Sequence, residues 1–210
     1  MSYSMDIIKA KNRLLEILLE KSFKYSEKPT FKLTSGKMSN YYINCKATTL
    51  DSEAMNLIGQ IFYNKIKTLR VNAIGGLTQG ADPIAVAAAM ISGIKDDPIN
   101  AFVVRKKAKE HGLKKLIEGN IHEGDKVIIV DDVVTTGQST IEAIENAKKE
   151  NLNIMKVIVL IDRQEGGREH IEKQGVPFES IFTKDDLVNL YKKQNTNINS
   201  TFLPNQLITL

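Results

Sequence analysis

The sequence predicts an α/β fold: a central, mostly parallel sheet flanked by helices, with a small hood near the N-terminus. Three observations predict it. Short apolar runs, above all Val127–Val130 and Ile154–Ile161, alternate with helix-length amphipathic segments, and strands apolar on both sides belong in a parallel sheet covered on both faces. A chain of 210 residues, 42% hydrophobic and 26% charged, has the size and polarity of one ordinary globular domain. Two short β-like pieces precede the regular alternation, which sets a small subdomain beside the main sheet. We read residues 1–193 as a single domain, with the hood over roughly 25–46 and residues 194–210 as a loosely ordered polar tail.

In chain order, Asp6 to Lys21 places Ile8, Leu14, Leu15, Leu18 and Leu19 at helical spacing, so the chain opens with an amphipathic helix. Phe31-Lys32-Leu33 and Tyr41-Tyr42-Ile43-Asn44 are short strands around the turn residues Thr34-Ser35-Gly36-Lys37 and Asn40. Asp51 caps a helix to about Lys67, with Leu57, Ile58, Ile61 and Phe62 inward. Val71–Ile74 is a strand, Gly75–Gly80 a loop, and Ala81–Ser92 a small-residue helix able to lie close to the sheet. Asn100–Val104 is the next strand, and a basic stretch follows it. Val127–Val130 then leads into Asp131, Asp132 and a turn containing Thr135, Thr136 and Gly137. The helix after it has Ile141, Ile144 and Ala147 on one face, with Ser139 or Thr140 near its cap. Ile154–Ile161 is a strand, 163–167 a polar turn, 168–174 a short helix and Phe178–Phe182 an edge strand. Thr183 caps a final helix to about Lys193.

The stretch from Val127 to Thr140 carries the chemistry. A strand, a small-residue loop and a helix N-terminus together aim unpaired N–H groups and the positive end of a dipole at one point, which suits a phosphate. Thr135, Thr136 and Ser139 add hydroxyl donors. Two acids beside a phosphate would repel it unless they face something else, and sugar hydroxyls and a hydrated magnesium ion are the natural partners. The Gly-Gly-Leu-Thr-Gln-Gly loop at 75–80 also follows a strand and precedes a helix, as a second phosphate loop would. Arg105, Lys106, Lys107, Lys109, Lys114 and Lys115 lie within eleven positions, a cationic loop able to close over a polyanion. Ligands in such sheets bind beyond the carboxyl ends of the strands, so these three loops should converge there.

Composition narrows the classes. No apolar run reaches membrane-spanning length and the N-terminus has no apolar signal core. One cysteine, Cys45, forms no internal disulfide, and we read the protein as cytoplasmic. A net charge of +4, no tryptophan and no basic–aromatic interleaving argue against a nucleic-acid partner. His122 and His170 have no partners at metal-ligand spacing and are read as surface residues, and Cys45 as a packing residue.

These motifs carry a resemblance. Val127–Thr140 resembles the phosphoribosyl pyrophosphate signature of the type I phosphoribosyltransferases. Arg105-Lys106-x-x-Lys109-x-His111-Gly112 resembles the catalytic loop of the orotate phosphoribosyltransferases. Phe31-x-Leu33-x-Ser35-Gly36-x-x-Ser39-x-Tyr41-Tyr42 resembles their orotate-binding hood, and 161–167 the segment whose arginine pairs with the orotate carboxylate. Together the matches span residues 31–167. Gln79 and Thr34 stand where some members carry lysine.

The resemblance implies the type I phosphoribosyltransferase fold and a pentosyltransferase of pyrimidine biosynthesis. Its reaction would join orotate to 5-phosphoribosyl 1-pyrophosphate (PRPP), giving orotidine 5′-monophosphate and pyrophosphate. Lys109, Asp131 and Asp132 would be catalytic. Arg105, Lys106, Lys109 and His111 would meet pyrophosphate, and Asp131 and Asp132 the ribose hydroxyls and magnesium waters. Val133, Val134, Thr135, Thr136, Gly137, Gln138 and Ser139 would form the 5′-phosphate loop, and Thr135 and Arg163 would seat orotate. Mg2+ would travel on PRPP, with no direct protein ligand. The family implies a homodimer with shared active sites. A phosphoribosyltransferase for another base, or a non-catalytic nucleotide-sensing regulator on the same fold, is the alternative.

Overall fold

The computed structural model describes residues 6–32, 36, 38–106 and 116–201, the last six without their side chains. Helix α1 (Ile7–Ser22) starts where Asp6 accepts the N–H groups of Ile8 and Lys9 at 3.0 and 3.3 Å. Its buried stripe is centred on Ala10, Leu14, Ile17 and Leu18. At 100° per residue Ile8 falls well off that centre, and it is 73% exposed.

The hood consists of two antiparallel ribbons. Strand β1 (Phe23–Tyr25) is followed by β2 (Phe31–Lys32), β3 (Met38–Ser39) and β4 (Tyr41–Ile43). β4 pairs with β1 and β2 with β3, so the two pieces legible in the sequence do not pair with each other. Their partners are two or three residues long and carry no readable period. The Phe23 and Tyr41 rings stack across the β1–β4 ribbon at 6.4 Å. Leu33, Thr34, Ser35 and Lys37 lie outside the described residues.

Helices α2 (Lys46–Thr49) and α3 (Ser52–Ile66) follow, the latter capped by Asp51 as expected and burying Leu57, Ile58, Ile61 and Phe62. Strand β5 (Ala73–Leu77) begins two residues later than the apolar pattern predicts and absorbs Gly75 and Gly76, which the sequence pattern places in the loop. A Cβ at Gly75 would fall 2.1 Å from the Phe102 carbonyl oxygen, and one at Gly76 2.2 Å from that of Val130. These glycines are therefore packing residues of a tight central strand. Only 78–80 remain as the turn before α4 (Asp82–Ile94).

Strand β6 (Asn100–Val104) has the expected bounds, and Ile117–Gly119, where the sequence predicts no strand, forms an antiparallel strand, β7. Then come β8 (Lys126–Val134), α5 (Gln138–Lys149), β9 (Asn153–Asp162), α6 (Gly167–Glu172), β10 (Phe178–Thr183) and α7 (Lys184–Thr201). α7 opens on a reciprocal cap in which Thr183 and Asp186 each accept the other's backbone N–H. It runs past Lys193 to Thr201.

The sheet order is β10-β9-β8-β5-β6-β7, parallel except for β7. Strand alternation feeds two separate cores. Ile128, Val130, Ile158 and Leu160 pack toward α1, α3 and α4. Val127, Ile129, Val157 and Val159 pack with Ala143, Ile144 and Ala147 of α5. At about 1.5–3 kcal/mol for each fully buried aliphatic side chain, these strands fix the sheet and therefore where its carboxyl edge lies. No helix among the described residues is long and apolar enough to cross a membrane.

Candidate active site

Period 2 continues past Val130 and separates the acid pair. Asp131 follows Ile129 toward α5, where its Oδ2 accepts the Thr140 hydroxyl at 2.9 Å. Asp132 follows Val130 toward the other face, where its Oδ2 stands 4.0 Å from Lys46 Nζ of α2. Both are 6% exposed. Burial, then the neighbouring Asp132 charge, pushes Asp131 up to about 7. Burial also raises Asp132, with Lys46 opposing it. The pair is therefore short of positive partners, which hydroxyl donors or a cation would supply.

Gly80 permits this arrangement. A Cβ there would fall 2.6 Å from Asp131 Oδ1 and 2.8 Å from Asp132 Oδ1. The turn at 78–80 thus lies directly against both carboxylates, bringing two of the three predicted loops together.

Beyond Val134 the chain turns through Thr135 and Thr136 into α5. The cap is Gly137 at φ 84°, with no side-chain hydrogen bond, so neither Ser139 nor Thr140 caps the helix. Thr140 serves Asp131 instead. The first-turn N–H groups are thereby left facing a cavity of about 220 Å³ lined by Asp131 and residues 133–140. His170, on the exposed surface as expected, has its Nδ1 2.9 Å from the Thr136 carbonyl oxygen. A carbonyl only accepts, so Nδ1 carries the hydrogen and the ring braces the loop. Gly137→Ala would place a side chain at positive φ with its Cβ 3.0 Å from the Gly167 carbonyl oxygen. We expect it to lower the unfolding free energy by about 1–2 kcal/mol in a urea titration with unchanged slope.

β8 and β9 end in step, Val134 opposite Asp162, and the Arg163 N–H donates to the Val134 carbonyl at 2.9 Å. That register sets Arg163 beside the turn holding Thr135. Arg163 is 7% exposed, its guanidinium 5.2 Å from the centre of the Tyr41 ring of the hood.

On the opposite side, Thr78, Gln79, Val103, Arg105, Lys106 and Glu118 line a cleft of about 660 Å³. Arg105 Nη1 donates to Glu118 Oε1 at 2.7 Å, a contact that exists because β7 pairs with β6. Lys109 and His111 lie outside the described residues. Cys45 is buried, and burial followed by the two Asp charges pushes its thiol well up, which suits packing and not nucleophilic attack.

Sequence reasoning missed Lys46 and the contact of His170 with the turn, which carry no local signal because each acts across the fold. Gly80 was legible only as part of the 75–80 loop.

Comparison with known proteins identifies the family to which the fold belongs. The family model described as "Phosphoribosyl transferase domain" matches residues 50–184. The chain is 43% identical to the orotate phosphoribosyltransferase of Aquifex aeolicus over 178 residues, 85% of this chain and 97% of that protein. A crystal structure of the orotate phosphoribosyltransferase of Mycobacterium tuberculosis H37Rv, in complex with Fe(III) dicitrate, superposes with a TM-score of 0.75 at 34% identity. That match covers 85% of this chain and 98% of the other. The same protein in complex with PRPP gives a TM-score of 0.69 at 30% identity, covering 85% of this chain and 92% of the other.

Proposed function

The chain belongs to the orotate phosphoribosyltransferases, and from that premise we propose how its residues carry the family's reaction. It transfers the phosphoribosyl group of PRPP to orotate, forming orotidine 5′-monophosphate and pyrophosphate in pyrimidine biosynthesis. The observation that carries the reading is the acid pair on β8, set between a helix N-terminus on one side and a turn plus cationic cleft on the other.

In this reading the 5′-phosphate takes the unpaired N–H groups of the turn after β8 and the hydroxyls of Thr135, Thr136 and Ser139. Asp131 and Asp132 accept hydrogen bonds from the ribose hydroxyls. Their negative charge also favours the oxocarbenium character that develops at the anomeric carbon as its bond to pyrophosphate breaks. Arg105, Lys106, Lys109 and His111 neutralise the departing pyrophosphate, while Gln79 offers a neutral donor where some relatives carry charge. Arg163 and Thr135 seat orotate so that its ring nitrogen faces the anomeric carbon. That nitrogen gives up its proton as the new bond forms, and the departing pyrophosphate, basic at the oxygen released from the anomeric carbon, takes it up.

Mg2+ is part of the same proposal. Among the described residues no group of three or more His, Cys, Asp or Glu could hold an ion alone. A pair of carboxylates suits an octahedral ion that keeps its waters and takes the rest of its ligands from substrate phosphates. Bound there, the ion would offset pyrophosphate charge. A homodimer is also proposed: Val86, Met90 and Ile94 recur every fourth residue on α4 and are 55%, 51% and 67% exposed. Such a stripe suits a two-fold interface with a second copy. A cytoplasmic setting accords with the single unpaired Cys45.

The test is orotate consumption, followed by its ultraviolet absorbance, with PRPP and magnesium, against uracil, hypoxanthine and adenine. Turnover of orotate alone, and only with all components, supports the reading. Turnover of a purine instead would keep the fold and sink the base assignment, and silence with every base would favour the regulator.

A further inference from the structure

Arg163 has an unmet need. It is buried, and among the described residues its Nε and Nη2 have no hydrogen-bond partner. Buried guanidinium nitrogens without partners are costly, so they point to a ligand that completes them.

What covers them is a contact between the hood and the turn after β9. The Tyr41 hydroxyl donates to Glu165 Oε1 at 3.0 Å. The same oxygen stands 3.1 Å from Arg163 Nη2, near enough for an ion pair but out of line for a hydrogen bond. The Tyr41 ring lies against the guanidinium on one side, with Lys184 Nζ 5.7 Å from the ring centre. Glu165 is thus shared between a hydroxyl and a guanidinium and satisfies the latter poorly.

We propose that Glu165 is a specificity-determining residue: with Tyr41 it closes over Arg163 in the free protein, and the carboxylate of the incoming base takes Arg163 from it. The proposal rests on the reading of Arg163 as the seat of the orotate carboxylate. The physical argument is a difference in geometry. Glu165 presents one oxygen already occupied by Tyr41, whereas a free carboxylate presents two to the planar guanidinium fork and makes both hydrogen bonds. The exchange therefore runs toward the ligand, but it starts from an ion pair that must first be given up. Glu165 accordingly lowers affinity for bases bearing a carboxylate and leaves affinity for the neutral ring unchanged.

Steady-state kinetics of the full chain at saturating PRPP and magnesium test this. The KM for orotate is measured beside the inhibition constant of orotate methyl ester, which has the same ring without the charge. Glu165→Gln, nearly identical in shape and able to keep the Tyr41 hydrogen bond, should lower the orotate KM roughly three- to tenfold and leave the ester constant unchanged. An orotate KM that stays put or rises, or an ester constant that moves in parallel, overturns the proposal. Arg163→Gln separates this from the underlying reading: it should raise the orotate KM and spare the ester. If it does not, the seat assignment itself fails. If it does while Glu165→Gln is silent, only the role of Glu165 is lost.

Discussion

The Asp131→Asn protein should turn over orotate at least about a hundredfold more slowly, and yet unfold at higher temperature than the unmutated protein at pH 8. The two effects have one cause. Asp131 is held at the carboxyl edge of β8 by strand geometry and buried to 6% exposure, where burial and the Asp132 charge raise it from 3.8 to about 7. Between those values the folded chain binds a proton that the unfolded chain has released, so stability falls as pH rises through that window and the cost is complete above it. Asparagine carries no charge to desolvate, while its side-chain oxygen can still accept the Thr140 hydroxyl. The stabilisation should therefore be about 1 kcal/mol or more at pH 8 and vanish near pH 4 in thermal scans without ligands. In the proposed reaction the same charge favours the ribose cation, so its removal would act on the transition state. Equal stability of the two proteins at pH 8 would show that Asp131 carries no buried charge. Unimpaired turnover would remove it from the catalytic set.

Lys109→Ala should lower turnover by about two to three orders of magnitude at saturating orotate and PRPP, the usual effect of removing one charge from a developing polyanion. This expectation rests on the Arg105-Lys106-x-x-Lys109-x-His111-Gly112 spacing, since Lys109 lies outside the described residues. A rate equal to that of the unmutated protein would defeat the proposed mechanism. The variant also tests the shared site. If the basic loop serves its neighbour, subunits carrying Lys109→Ala mixed with subunits carrying Asp131→Asn should regain about a quarter of normal activity, because half the dimers are mixed and each then holds one intact site. If each subunit completes its own site, the mixture stays inactive.

Much of this was legible in the sequence, for physical reasons that can be named. Apolar runs such as Val127–Val130 can be satisfied only between two covered faces, and Asp51 before a helical period has few other uses than capping. The acid pair followed by Thr-Thr-Gly announced a sugar phosphate because those groups at that spacing suit little else. Boundaries were less legible. Gly75 and Gly76 read as loop because glycine is the usual turn residue, whereas here they let β5 lie against Phe102 and Val130. Ile117–Gly119 is too short to carry a period, so only its pairing with β6 makes it a strand. Ser139 and Thr140 were plausible caps until the backbone put Gly137 at positive φ and Asp131 claimed the Thr140 hydroxyl.

The sequence by itself determined the parallel sheet, the small-residue turn before α5 and the chemical identity of the acids, because hydrophobic period, glycine placement and charge spacing are local quantities. Only the tertiary structure decided which partners those groups meet. Lys46 beside Asp132, Gly80 against both carboxylates, His170 on the Thr136 carbonyl and Tyr41 with Glu165 over Arg163 are contacts between segments distant along the chain. Their energies depend on packing between those segments, which no local pattern records.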